Sequence, residues 1–293
     1  FIFVGTMPFL DRLLDKNPIC HIGPPGFNTI TGIAIKNLTN RYQGNDSDYH
    51  DPETPDFLDK FIEVKNLKPD EVNDAQIISW LMVNMIAGAD TTAIAIRAAI
   101  YYGLKYPRVW KRLAEELLSA DFADRTPPAY KEVKALPYTD AVIREALRMV
   151  PGVGFSMERY VPQGGFHLPN GDFLPAGTVV AMSPYILSRN KQTFGEDADD
   201  FRPERWLRDE EYGETEEEYE KRLLSMNQAD LSFGGGSRVC IGKNMGLFQT
   251  YKVFATLVTL YEMELADPKK DWKVVNSWFN RPEGLEVRMR KRA

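Results

Sequence analysis

The sequence predicts a mainly α-helical fold with small β-sheets. Three observations carry that reading. A mostly apolar run without proline extends over residues 74–104, enough for a helix about 45 Å long at the α-helical rise. Helical spacing of apolar residues recurs over 107–119, 139–149 and 240–261. Between these stretches lie short apolar pieces set off by Gly and Pro turns, which read as strands too short for a dominant sheet. With 293 residues, 43% hydrophobic and 12% aromatic, the chain has material for one large domain or two ordinary ones.

Residues 9–14 have the pattern of a short helix that ends before Pro18. Residues 43–55 are polar and punctuated by Pro52 and Pro55, so they read as an exposed loop. Phe57, Leu58, Phe61, Ile62 and Val64 space a helix over 56–66. The run 74–104 is apolar on nearly every face, and a helix of that kind is expected to cross the interior. Pro107 ends it and opens the next helix, 107–119, with Glu115 and Glu116 on the wet side. The helix at 139–149 stops at Pro151-Gly152. Strands are expected at 159–161, 165–168, 178–182 and 285–289, and residues 190–232 read as irregular and charged.

Net charge is −6, which argues against a general nucleic-acid binder. Much of that acidity is one run: Asp209, Glu210, Glu211, Glu214, Glu216, Glu217, Glu218 and Glu220, read as a solvated surface insertion. Two cysteines, Cys20 and Cys240, make no disulfide framework. His21, His50 and His167 lack metal-ligand spacing and read as ordinary loop or surface residues. No uninterrupted apolar stretch reaches membrane-spanning length, and no signal peptide is visible. The chain starts at Phe1, so it reads as a fragment or a processed form.

The most specific motif is Phe233-Gly-Gly-Gly-Ser-Arg-Val-Cys240-Ile-Gly242, immediately before an apolar helix. Backbone N–H groups at a helix start favour an anion placed there, and so a thiolate. Gly234, Gly235 and Gly236 permit a tight backbone, and Gly242 leaves room beside the sulfur. A thiolate presented in this way suits a haem iron whose chemistry is O–O cleavage. The plain alternative is a structural cysteine beside a glycine turn.

Upstream, Ala87-Gly88-Ala89-Asp90-Thr91-Thr92 interrupts the long apolar helix. Gly88 weakens a helix by roughly 1 kcal/mol against alanine. A threonine there can open the helical ladder. The segment reads either as a harmless kink or as an acid–alcohol pair that moves protons. Glu145 and Arg148 share a helix face at i and i+3, and Arg205 follows in Phe201-Arg-Pro-Glu-Arg-Trp206. Arg159 begins a strand and is either a surface residue or a partner for a carboxylate.

Taken in order along the chain, these motifs resemble the cytochrome P-450 family, its fungal microsomal members above all. Phe233, Gly236, Arg238, Cys240 and Gly242 match the haem-ligand loop position by position. The resemblance implies the cytochrome P-450 fold with its N-terminal portion missing, residues 1–293 forming the C-terminal haem-binding portion. It implies haem (iron protoporphyrin IX) with Cys240 as axial ligand. Arg238 and Arg159 would serve as propionate partners, and Phe233, Gly234, Gly242 and Gly88 would shape the surroundings. Asp90 and Thr91 match the family's acid and alcohol, which direct protons in O2 activation. Glu145, Arg148 and Arg205 match a buried structural network behind the loop. The activity implied is a haem-thiolate monooxygenase of fungal secondary metabolism. It would insert one oxygen atom from O2 into a small apolar organic substrate, with electrons from NADPH through a cytochrome reductase. Arg238, Lys243 and Lys252 are the candidate reductase contacts. Ala87, Val153, Phe155 and Ser156 are candidate pocket residues. The parent is expected on the cytosolic face of the endoplasmic reticulum membrane, with no span in this chain. Two other readings are a truncated, non-catalytic homologue that binds haem or a partner, and a peroxide isomerase or dehydratase.

Overall fold

A computed structural model of the chain describes residues 28–122, 127–276 and 278–292. The helix expected at 9–14, Cys20 and His21 lie outside them. The chain divides into two compact units, Phe1–Ala89 and Asp90–Ala293, and the division falls inside one long helix.

In the first unit, α1 (Asn28–Gln43) and α2 (Phe57–Leu67) lead to α3 (Asp74–Lys105), which runs on into the second unit. Leu38, Leu58, Val72 and Ile77 form the unit's small core, with Phe61 and Trp80 packed on it. Asp56 caps α2: its carboxylate accepts from Leu58 N at 2.8 Å and Asp59 N at 3.1 Å, and Asp59 accepts from Asp56 N at 2.8 Å. Arg41 pairs with Asp46, Asp56 and Asp59, so the polar loop at 43–55 is pinned at both ends. His50 joins this cluster at 3.0 Å from Asp59 and is largely buried. It is therefore a structural partner, where the sequence reads an ordinary loop residue.

The second unit is built on α4 (Pro107–Ser119), α5 (Tyr130–Lys134), α6 (Pro137–Met149) and α10 (Lys243–Leu260). These helices pack with the C-terminal part of α3. Ile94, Ala95, Ala98, Ala99 and Ile100 of α3 are buried against Leu113 and Leu117 of α4, Val142 and Ala146 of α6, and Phe254 and Val258 of α10. The expectation that α3 crosses the interior is met by its C-terminal part and corrected for its middle, where Val83, Asn84 and residues 87–90 are exposed. The expectation of no segment long and apolar enough to span a membrane is corrected as well. The 32-residue α3 meets that test on length and composition. Asn84, Asp90, Thr91 and Thr92 break the apolar run without making the helix polar on average.

Among the described residues, four two-stranded antiparallel sheets complete the second unit. β1 (Met157–Tyr160) pairs with β4 (Val179–Met182), and β2 (Phe166–His167) with β3 (Phe173–Leu174). β5 (Tyr261–Leu265) pairs with β8 (Val287–Lys291), and β6 (Lys273–Asn276) with β7 (Asn280–Glu283). Residues 190–232 contain more order than the sequence reading gives them. After the short helices α7 (Pro184–Leu187) and α8 (Lys191–Phe194) comes α9 (Glu216–Ala229), 14 residues long. Thr215 and Glu218 form its capping box, and Glu216, Glu217 and Glu218 occupy its positive first turn. Part of the acidic run is thus a helix start.

Candidate functional site

The second unit first builds a rigid back wall. Glu145, on α6, is fully buried. Its two oxygens accept from Arg148 Nε at 2.8 Å and Nη2 at 2.7 Å, Arg205 Nε at 2.8 Å, Trp206 Nε1 at 2.8 Å and Arg202 N at 2.9 Å. Arg148 donates further to the Ser188, Ala198 and Asp200 carbonyls, and Arg205 to those of Phe194 and Asp197. A buried ion cluster is tolerable only when every group is satisfied in this way. The sequence brought Glu145, Arg148 and Arg205 together. It missed the Trp206 indole, although that residue directly follows Arg205.

The glycine loop stands on this wall through Ser232, whose hydroxyl donates to the Leu147 carbonyl at 3.3 Å. Gly234 N donates to Leu231 O at 2.9 Å, and Cys240 N to Phe233 O at 2.8 Å, closing the loop on itself. Gly234 has φ +73° and Gly236 φ +63°, backbone that a side chain would strain. A Cβ on Gly234 would also lie 3.5 Å from Met157 Sδ, so the loop packs close on β1. Phe233 anchors the loop in the main core. Helix α10 begins at Lys243 with Gly242 as N-cap, three residues later than the sequence predicts. Cys240 thus lies just ahead of the helix and is exposed. A Cβ on Gly242 would meet its Sγ at 3.8 Å, ordinary contact. Tyr251 ties α10 to α6 and α5. Its hydroxyl bonds Asp140 of α6 and takes a bond from Lys134 Nζ at 3.1 Å. Burial first, and the Asp140 carboxylate next, push its pKa up, so it stays a neutral donor.

The acid–alcohol segment reaches the same region from α3. Gly246, in the first turn of α10, faces both Phe233 and Thr92: a Cβ there would lie 3.8 Å from Phe233 Cε1 and from Thr92 Oγ1. Thr91 is half-buried and packs against Gly152. Asp90 is exposed. Gly88 belongs to the first unit, and a Cβ there would meet no described atom within 4 Å. Arg159 is exposed on β1, where its Nη1 donates to its neighbour's carbonyl, Glu158 O, at 2.7 Å.

The donor set fits a haem. A porphyrin iron needs a soft or nitrogen ligand, apolar surroundings and cations for its carboxylates. Cys240 offers an exposed sulfur between two exposed apolar residues, Val239 and Ile241. Arg238 is exposed two residues away, and no ion pair among the described residues engages it.

The fold and the donors of this loop are of a class that suits a haem, and the comparisons give the family. The profile of the family described as Cytochrome P450 matches residues 26–288, so the chain belongs to that family, whose cofactor is haem. It is 46% identical over 291 residues to the cytochrome P450 monooxygenase cfoH of Aspergillus candidus, covering 99% of this chain and 53% of that protein. To the cytochrome P450 monooxygenase pkfB of Emericella nidulans it is 36% identical, covering 98% of this chain and 54% of the relative. A crystal structure of a cytochrome P450, CYP102L1, superposes with a TM-score of 0.72 at 23% identity, over 90% of this chain and 56% of that one. That likeness shows the shared fold. The chain spans about half the length of the curated relatives it matches.

Proposed function

We infer that this chain is the haem-binding part of a fungal monooxygenase. That enzyme inserts one oxygen atom of O2 into a C–H bond of an organic substrate and releases the other as water. Two electrons from NADPH, passed by a reductase, and two protons complete the balance. The observation that carries the reading is the exposed Cys240 sulfur on a tight glycine loop just ahead of α10. Bound haem would supply the redox chemistry, and thiolate ligation is the form that favours O–O cleavage. Cys240 would hold the metal, while Arg238 and Arg159 would bind the carboxylates of the group through their planar forks. Phe233 and Gly234 would fix the loop, and Gly242 and Gly88 would keep side chains out of the way. Thr91 and Asp90 would hold and pass protons. Arg238, Lys243 and Lys252 would meet an acidic face of the reductase, and the whole protein would work at the endoplasmic reticulum membrane.

The test is the ferrous–CO spectrum of the haem-loaded protein. The red-shifted band of thiolate ligation is expected in the parent and lost in Cys240→Ala; an unchanged band in the variant refutes the assignment. Thr91→Ala is expected to go on consuming NADPH while peroxide replaces much of the product. A haem-loaded protein that forms no product with any reductase would favour the non-catalytic reading.

A further inference from the structure

Asn280 opens β7 and has 1% of its surface exposed. Its backbone N–H donates to Gly152 O at 3.2 Å, and its Nδ2 donates to Pro151 O at 2.7 Å. Its Oδ1 has no hydrogen-bond partner among the described residues. The two donated bonds fix the buried amide in place against the Pro151–Gly152 backbone.

The amide is wedged against Gly154. A Cβ at that position would fall 2.5 Å from Oδ1 and 2.7 Å from Nδ2, so Asn280 reaches Pro151 only because residue 154 has no side chain. Two further contacts join the β6–β7 hairpin to this stretch: the antiparallel bridge of Val153 with Phe279, and the stacked rings of Phe155 and Trp278, with centroids 6.4 Å apart. On its other side the stretch meets α3. A Cβ at Gly152 would lie 3.2 Å from Thr91 Cβ and 3.5 Å from Thr91 Cγ2. The threonine methyl therefore faces Gly152.

A threonine in a helix divides between two χ1 rotamers, unlike valine or isoleucine, which strongly prefer one. A wall that accepts the methyl selects between them. We propose that Asn280 is a positioning residue for Thr91. It holds Gly152 from behind, fixes the surface on which the Thr91 methyl packs, and so sets the direction of the Thr91 hydroxyl. The proposal rests on the proton-handling role of Thr91 given above.

Two variants test it in the haem-loaded protein supplied with its reductase. Asn280→Leu keeps the bulk and removes both amide groups. Gly152→Ala leaves Asn280 in place and pushes a methyl toward Thr91; Gly152 lies outside the left-handed region, so the backbone accepts alanine. Each is also combined with Thr91→Ala. Peroxide formed per NADPH oxidised is expected to rise about threefold in either variant, since small displacements of a positioned group carry large kinetic effects. No further rise is expected in the Thr91→Ala background, because one interaction is being removed twice. Apart from turnover, the Thr91 methyl resonance of threonine-methyl-labelled protein is expected to shift in both variants while that of Thr256, on α10, stays.

An unmoved Thr91 methyl with unchanged peroxide yield overturns the proposal, as does an equal rise on the Thr91→Ala background. If Thr91→Ala alone leaves the peroxide yield unchanged, the proton role of Thr91 has failed, and the methyl resonance decides the positioning claim. Where Asn280→Leu yields no folded protein, Asn280→Ser takes its place under the same criteria.

Discussion

The Glu145 network and the Cys240 loop are neighbours, linked through Ser232 and Leu147, yet they are made differently. At Glu145 the chain completes its own chemistry: five N–H donors converge on one buried carboxylate, and the two arginines use further carbonyls. At Cys240 the chain turns its sulfur, the Arg238 guanidinium and the Ile241 side chain outward. The contrast separates what holds the fold from what faces a ligand. A change at the first should be read in folding, and a change at the second in chemistry.

The sharpest way to break that contrast is Glu145→Gln. Removing the charge strands two buried guanidinium groups, which costs about 3–5 kcal/mol. The denaturant midpoint should fall steeply and haem should be lost with the fold. A stable, haem-loaded Glu145→Gln protein impaired only in turnover would place the network in the chemistry after all. Tyr251→Phe probes the contact of α10 with α6. Asp140 keeps Lys134 as partner, so the expected loss is about 1 kcal/mol, one net hydrogen bond. A larger loss, visible in thermal unfolding, would make the α6–α10 contact a third structural centre. Cys240→Ala should change the stability of the haem-free chain by less than about 0.5 kcal/mol, because an exposed side chain with no packing role is removed. Several kcal/mol of destabilisation there would mean that the loop supports the fold, and the two regions would no longer differ in kind.

The same contrast explains which parts were legible in advance. The Cys240 loop is read from adjacent residues, because helix start, glycines and sulfur all lie within ten positions and act through local backbone geometry. The Glu145–Arg148 pair is local too, one helix turn apart. Arg205 was reached only through its Pro-Glu-Arg segment, and the Trp206 indole escaped, since no periodicity says where a side chain 61 residues away will point. Helix α9 escaped for another reason. Its acidic first turn looks like solvated charge until the capping box of Thr215 and Glu218 shows it to be a helix start.

By itself the sequence determined α2, α3, α4, α6 and α10, their order, and the loop that presents a sulfur, because propensity and turn residues act between near neighbours. Only the tertiary structure decided that α3 is buried at Ile77 and then again from Ile94 onward, with an exposed stretch between, that Asp90 is exposed, and that His50 joins the Arg41 cluster. It alone brought Asn280 against Gly154 and Thr91 against Gly152. Those facts depend on which surfaces meet. A surface buried between elements far apart in the chain leaves no periodic mark on either of them.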